Sequence, residues 1–145
     1  MNDEKQEQAY WLLLAFESKL SKRAISDIIE HWCRQRSGTL QEFFSLTAHQ
    51  WSHICQLDEN IVAKLTSASE KIADQITLAE RLMKRGMHML TVLDEKYPAM
   101  LKSTLSLSAT PPVLFYIGNL EILDLLSVAI IGSATRQRKA LNLPV

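Results

Sequence analysis

In this 145-residue sequence the stretch best suited to chemistry is Ser127-Val128-Ala129-Ile130-Ile131-Gly132-Ser133. An apolar strand that ends in Gly-Ser presents backbone N–H groups and a hydroxyl at the carboxyl edge of a sheet, where open α/β folds hold phosphate. Arg136, Arg138 and Lys139 follow with no acid among them. Such a cluster can touch a phosphate backbone, although at a chain end it is more often a solvated tail. Lys19, Lys22 and Arg23 offer only a weak electrostatic contact, since the glycine turn of a helix-hairpin-helix DNA contact is missing between Lys19 and Arg23.

Other reactive types are weighed down by their spacing. His49 and His53 stand at i, i+4, the spacing of two ligands on one helical face, with Cys55 near them. A zinc site takes three or four ligands, and the metalloprotease pattern has Glu where this chain has Gln50, so surface or half-buried helix histidines and no metal are expected. Cys33 and Cys55 lack C-x-x-C spacing and read as core fillers. There is no glycine-rich dinucleotide or nucleoside-triphosphate loop, no Ser-His-Asp order and no carboxylate pair with a rationale for acid-base work. The residues therefore predict a protein that is not an enzyme.

The elements that must carry these residues fall into two kinds. From about Glu4 to Arg85 the pattern is helical throughout. Ala9 to Phe16 is apolar all round and suits a central helix touched by several others. Ser21 caps a helix whose Ile25, Ile28, Ile29, Trp32 and Cys33 form one stripe. Gly38 breaks the chain; Thr39 to Glu42 and Thr47 to Gln50 have capping-box spacing. Asp58 opens a helical stretch running from Ile61 to Met83, with a break near Ser67 and a stop at Gly86. Beyond Gly86, short apolar runs at Met87–Leu93, Val113–Ile117 and Ser127–Ile131 suit strands buried on both faces of a parallel sheet, with a short helix from Tyr97 to Lys102. The expected fold is α/β: residues 1–86 all-helical, 87–133 the opening of a parallel-sheet domain, and 134–145 a divergent basic tail.

Composition narrows the setting. The chain is 47% hydrophobic and 22% charged, enough apolar material for a core, and 16 basic residues balance 16 acidic ones. With no net charge the whole-chain field cannot steer nucleic acid, so any such contact is local. The longest apolar runs fall far short of the roughly 20 residues a bilayer span needs, so no membrane partner is expected. The isolated cysteines and the lack of a secretory start point to a reducing cytoplasm.

Three strings then acquire meaning together. Asp94-Glu95-Lys96-Tyr97-Pro98-Ala99-Met100-Leu101 resembles the D-x-x-Y-P-x-x-L signature of the DprA/Smf family of DNA-processing proteins. Pro111-Pro112-Val113-Leu114-Phe115-Tyr116-Ile117-Gly118-Asn119 resembles that family's P-P-x-L-x-x-x-G-N, and Val128 to Ser133 is similar to its V-A-I-V-G-S-R. The helical front, with Tyr10-Trp11-Leu12, looks like the family's domain of sterile-alpha-motif type. The resemblance implies a Rossmann-like fold, single-stranded DNA and the recombinase RecA as partners in natural transformation, and self-association of the full-length family as a homodimer. It also implies that Gly132 and Ser133 line a phosphate pocket. The chain departs at Ala134, where the family has arginine, and 134–145 does not resemble the continuation; a truncated or frameshifted product is the simplest expectation. A Rossmann nucleotide enzyme such as a lysine-decarboxylase-like phosphoribohydrolase, or a helical interaction module without DNA activity, are the rival readings.

Read without the family, Pro98 fixes its own φ and holds Tyr97 extended, so Tyr97-Pro98 reads as a structural corner, Pro111-Pro112 as a stiffened strand entry and Gly118-Asn119 as a positive-φ turn.

Overall fold

Four consecutive buried residues, Trp11 to Leu14, decide the architecture, because a helix can bury so many neighbours only when other elements surround it. They lie in α1 (Asn2–Leu12) and in the wide π-helical turn, Leu13–Glu17, that continues it. The computed structural model describes residues 2–99, 101 and 109–119. Within them α1 packs against α3 (Leu40–Phe44) and α6 (Ile72–Lys84), and the π turn against α5 (Glu59–Ser69). The expected central helix is present, with Phe16 as the exception at 58% exposed.

Local chemistry sets the helix boundaries where the sequence places them. Ser21 Oγ accepts from Ala24 N (3.1 Å) and opens α2 (Lys22–Ile28), which continues into a second π-helical segment, Ile29–Gln35. Thr39 Oγ1 accepts from Glu42 N at the start of α3. Thr47 and Gln50 form a reciprocal capping box at the start of α4 (Ala48–His53), and Asp58 accepts from Ile61 N at the start of α5. The helical stretch after Asp58 does break, at Glu70 and Lys71 between α5 and α6. Gly86 closes α6 at φ +75°, with Met87 N donating to Leu82 O, as in a Schellman stop.

The core is aromatic around α3. Phe43, 1% exposed, meets Trp32, Phe44 and Trp51 with ring centroids 5.6, 5.4 and 5.9 Å away, and Tyr10 stacks on Phe44 at 5.5 Å. Trp32 turns its indole to donate to Thr39 O (2.8 Å), and Arg36 lies 4.8 Å over its ring. A Cβ on Gly38 would sit 2.5 Å from Trp32 Nε1, so glycine is required there for space. The neighbouring Ser37 takes the positive φ, 55°, that turns the chain.

After α6 the chain forms β1 (His88–Thr91) and β2 (Val113–Tyr116). A parallel sheet is expected from the sequence; this pair is instead antiparallel, with Leu90 opposite Leu114 and Thr91 opposite Val113. The physical reason lies between the strands. A parallel pair needs a crossover of a dozen or more residues that covers one sheet face, usually with a full helix. Here Asp94 N donates to Thr91 O, Tyr97 N to Asp94 O and Leu101 N to Pro98 O, so the described part of the connection is a run of tight turns and not a full helix laid over the sheet. The runs are also not buried on both faces: Leu90, Val92 and Val113 join the helical core, while Phe115 and Ile117 are exposed. Ser127–Ile131 lies outside the described residues.

Candidate nucleic-acid interface

The structure joins the two proline-containing motifs. Asp94 Oδ2 accepts from Thr91 N (2.7 Å), folding the chain after β1 into a corner. Tyr97, just before Pro98, is 3% exposed and belongs to the shared core. Its hydroxyl donates to Pro111 O at 2.6 Å, while Val92 N donates to Pro112 O at 2.9 Å. Thus Tyr97 of the first motif and Pro111 of the second, fourteen residues apart, are in direct contact. Burial pushes the Tyr97 phenol above its usual pKa, so the hydroxyl, already protonated at neutral pH, keeps its proton further into the alkaline range. These residues act as packing and corner residues, as their types suggest. Gly118 adopts φ +99° with open space where a Cβ would stand, so its role is conformational.

Gly132, Ser133, Arg136, Arg138 and Lys139 lie outside the described residues, as does Ala134. Among the described cations, Lys19, Lys22 and Arg23 are all exposed around the turn between the first two helices. Lys19 supplies the left-handed residue itself, at φ 58°, where a DNA-contacting hairpin would use glycine. Buried Ser18 donates to Leu14 O (2.6 Å) and accepts from Leu20 N, which ties the turn down from inside.

The thiols are poorly placed for nucleophilic work. Burial, with Glu7 adding to it, pushes the Cys33 thiol up to about 12, and burial also raises Cys55 although Arg36 opposes it. His49 and His53 are exposed, and no group of three or more His, Cys, Asp or Glu side chains able to hold a metal occurs among the described residues.

Two features escape a reading by spacing. One is a mostly apolar cleft of ≈ 270 Å³ between Phe16, Ile25, Ile29, Val92 and Pro112, with Lys22 on its lining. The other is Glu7. Its carboxylate accepts from Leu40 N (2.8 Å), Gln41 N (2.9 Å) and Trp11 Nε1 (3.2 Å), so that α1 caps the first two amides of α3. A polar residue early in a helix gives no sign of a partner thirty-three positions away.

Comparison with known proteins places this scaffold. Neither a curated protein nor a solved structure matches the chain. The model of the family described as DNA recombination-mediator protein A matches residues 88–143, a span that takes in β1, the Tyr97-Pro98 corner, β2, the Gly132-Ser133 pair and the basic cluster after it. Over residues 88–143 the chain is thus similar to the family of DNA recombination-mediator protein A.

Proposed function

We propose that this chain processes DNA in recombination by binding single-stranded DNA. In this reading Gly132 and Ser133 offer an amide and a hydroxyl to a phosphate, and Arg136, Arg138 and Lys139 add charge. The observation that carries the proposal is the family match over 88–143, which includes all five residues. The tie from Tyr97 to Pro111 supports it, because two of the motifs behind the resemblance meet as one structural unit. The chemistry is binding rather than turnover, in the cytoplasm, with no cofactor. Hand-over to RecA and self-association follow from the resemblance, as do a helical part over 1–86 of sterile-alpha-motif type, a Rossmann-like character for 87–133 and a basic tail over 134–145. No helix among the described residues is long and apolar enough to cross a membrane.

Ala134 stands where the family has arginine, and charge-assisted bonds to phosphate are roughly twice as strong as neutral ones. The chain should therefore bind weakly and lose binding steeply with salt. Fluorescence anisotropy with a labelled oligonucleotide across a salt series tests this. Replacing Arg136, Arg138 and Lys139 by alanine together should flatten the log–log salt slope by about 2, at about 0.7 per single-strand phosphate contact. Ala134→Arg should tighten binding. Tight binding that survives physiological salt and ignores the triple substitution would place the DNA site elsewhere.

A further inference from the structure

We propose that His49 and His53 form an open, two-imidazole binding site for a late first-row divalent ion, of which Cu²⁺ and Zn²⁺ are the natural probes. Spacing alone left these residues as surface histidines; the geometry adds that their rings converge. The centroids are 4.1 Å apart with 50° between the ring planes. Two nitrogens bound to one tetrahedral ion at about 2.0–2.1 Å each must stand about 3.3 Å apart, which rings this close reach by small side-chain rotations.

The helix beneath them is held at its start and from inside. Thr47 and Gln50 box its start, and Trp51, 3% exposed, donates from Nε1 to Phe43 O at 2.9 Å. His49 and His53 each lie two residues from Trp51, about 200° around the helix at 100° per residue, so both face directly away from the core. The two other histidines are engaged elsewhere: His31 contacts Gln35 at 3.4 Å and His88 stacks on Tyr116 at 5.1 Å. Among the described residues neither His49 nor His53 has a hydrogen-bonding partner. Imidazole suits copper and zinc, whereas Mg²⁺ and Ca²⁺ prefer oxygen ligands, and water completes the shell.

Isothermal titration of the whole chain with Cu²⁺, and separately with Zn²⁺ and Mg²⁺, tests the site. One equivalent of Cu²⁺ should bind, Zn²⁺ more weakly and Mg²⁺ not at all. His49→Gln and His53→Gln should each lower the copper affinity by about tenfold or more, a scale that even changes around a ligand can reach. His31→Gln should leave it unchanged. Both substituted side chains are exposed, and an unaltered far-UV circular dichroism spectrum confirms that the variants fold. Absence of a one-equivalent copper isotherm, or affinity that is the same in wild type and both variants, overturns the proposal.

Discussion

Replacing Glu7 by glutamine keeps the size of the side chain and removes the feature that ties α1 to α3. In the native arrangement Oε2 accepts from Leu40 N and Trp11 Nε1, and Oε1 from Gln41 N. The best placement of a glutamine leaves its oxygen with Leu40 N and Trp11 and sets its NH₂ against the Gln41 N–H, two donors facing each other. Each of the two retained bonds falls from the charge-assisted range of about 1.5–3 kcal/mol to about 1, and the lost one leaves an unsatisfied amide costing about 1–3. Because the site is only half-buried, the lower part of this range applies, and we expect a loss of about 2–3 kcal/mol, against a typical total of about 5–15. With a urea slope of about 1–3 kcal/mol/M, the midpoint followed by far-UV circular dichroism should fall by about 1–2 M at unchanged slope. Glu42→Gln is the control: among the described residues its carboxylate meets only the exposed Thr39 hydroxyl at 3.2 Å, and its effect should stay within about 0.5 kcal/mol. If the two variants unfold at the same urea concentration, the reasoning about helix capping across α1 and α3 is wrong.

Tyr97→Phe removes the donor to Pro111 O and should cost about 1–2 kcal/mol, lowering Tm by a few degrees; a variant with wild-type Tm would show that the tie carries no energy. Gly38→Ala drives a methyl to within 2.5 Å of Trp32 Nε1 and should destabilise by about 1–3 kcal/mol through overpacking, with a blunted near-UV tryptophan signal; a neutral result would mean that the indole moves aside freely. The raised Cys33 value makes stability depend on alkaline pH. Folding favours the neutral thiol, so its contribution is complete below the unfolded value of 9.0 and is lost as pH rises towards about 12. Cys33→Val should flatten that loss in denaturation curves recorded between those limits, and in the native protein a thiol reagent should reach Cys55 before Cys33.

Helix starts were legible in the sequence because the groups that decide them lie within three residues of one another. Ser21, Thr47 and Asp58 cap as their spacing suggests, Thr39 caps with its side chain alone and without the reciprocal half of a box, and Gly86 closes α6. Features set by distant groups were not legible. Nothing in the spacing of Glu7 points to Leu40, and nothing marks Lys19, Ser37 and Gln56, rather than glycines, as the residues that turn left-handed. Strand direction failed for a related reason. Short apolar runs such as Val113–Ile117 show that a face is buried but not whether both are, and the described residues after β1, from Thr91 to Tyr97, form tight turns before an antiparallel partner. At the candidate site the corner and strand-entry roles of Tyr97-Pro98 and Pro111-Pro112 could be read from residue type, whereas their contact through one hydroxyl could not.

The three indoles have a spectroscopic consequence. Trp11 donates to Glu7, the residue that caps α3; Trp32 donates to the carbonyl of Thr39, immediately before α3; Trp51 donates to the carbonyl of Phe43 within it. Every tryptophan in the chain therefore reports on a single five-residue helix and its surroundings. Intrinsic emission will follow the docking of that helix and say little about β1 and β2, where Tyr97 and Tyr116 are the available chromophores. An unfolding curve recorded by tryptophan emission alone would give a clean transition for the helices even if the strands had already come apart, so tyrosine absorbance is needed beside it before the molecule is called two-state.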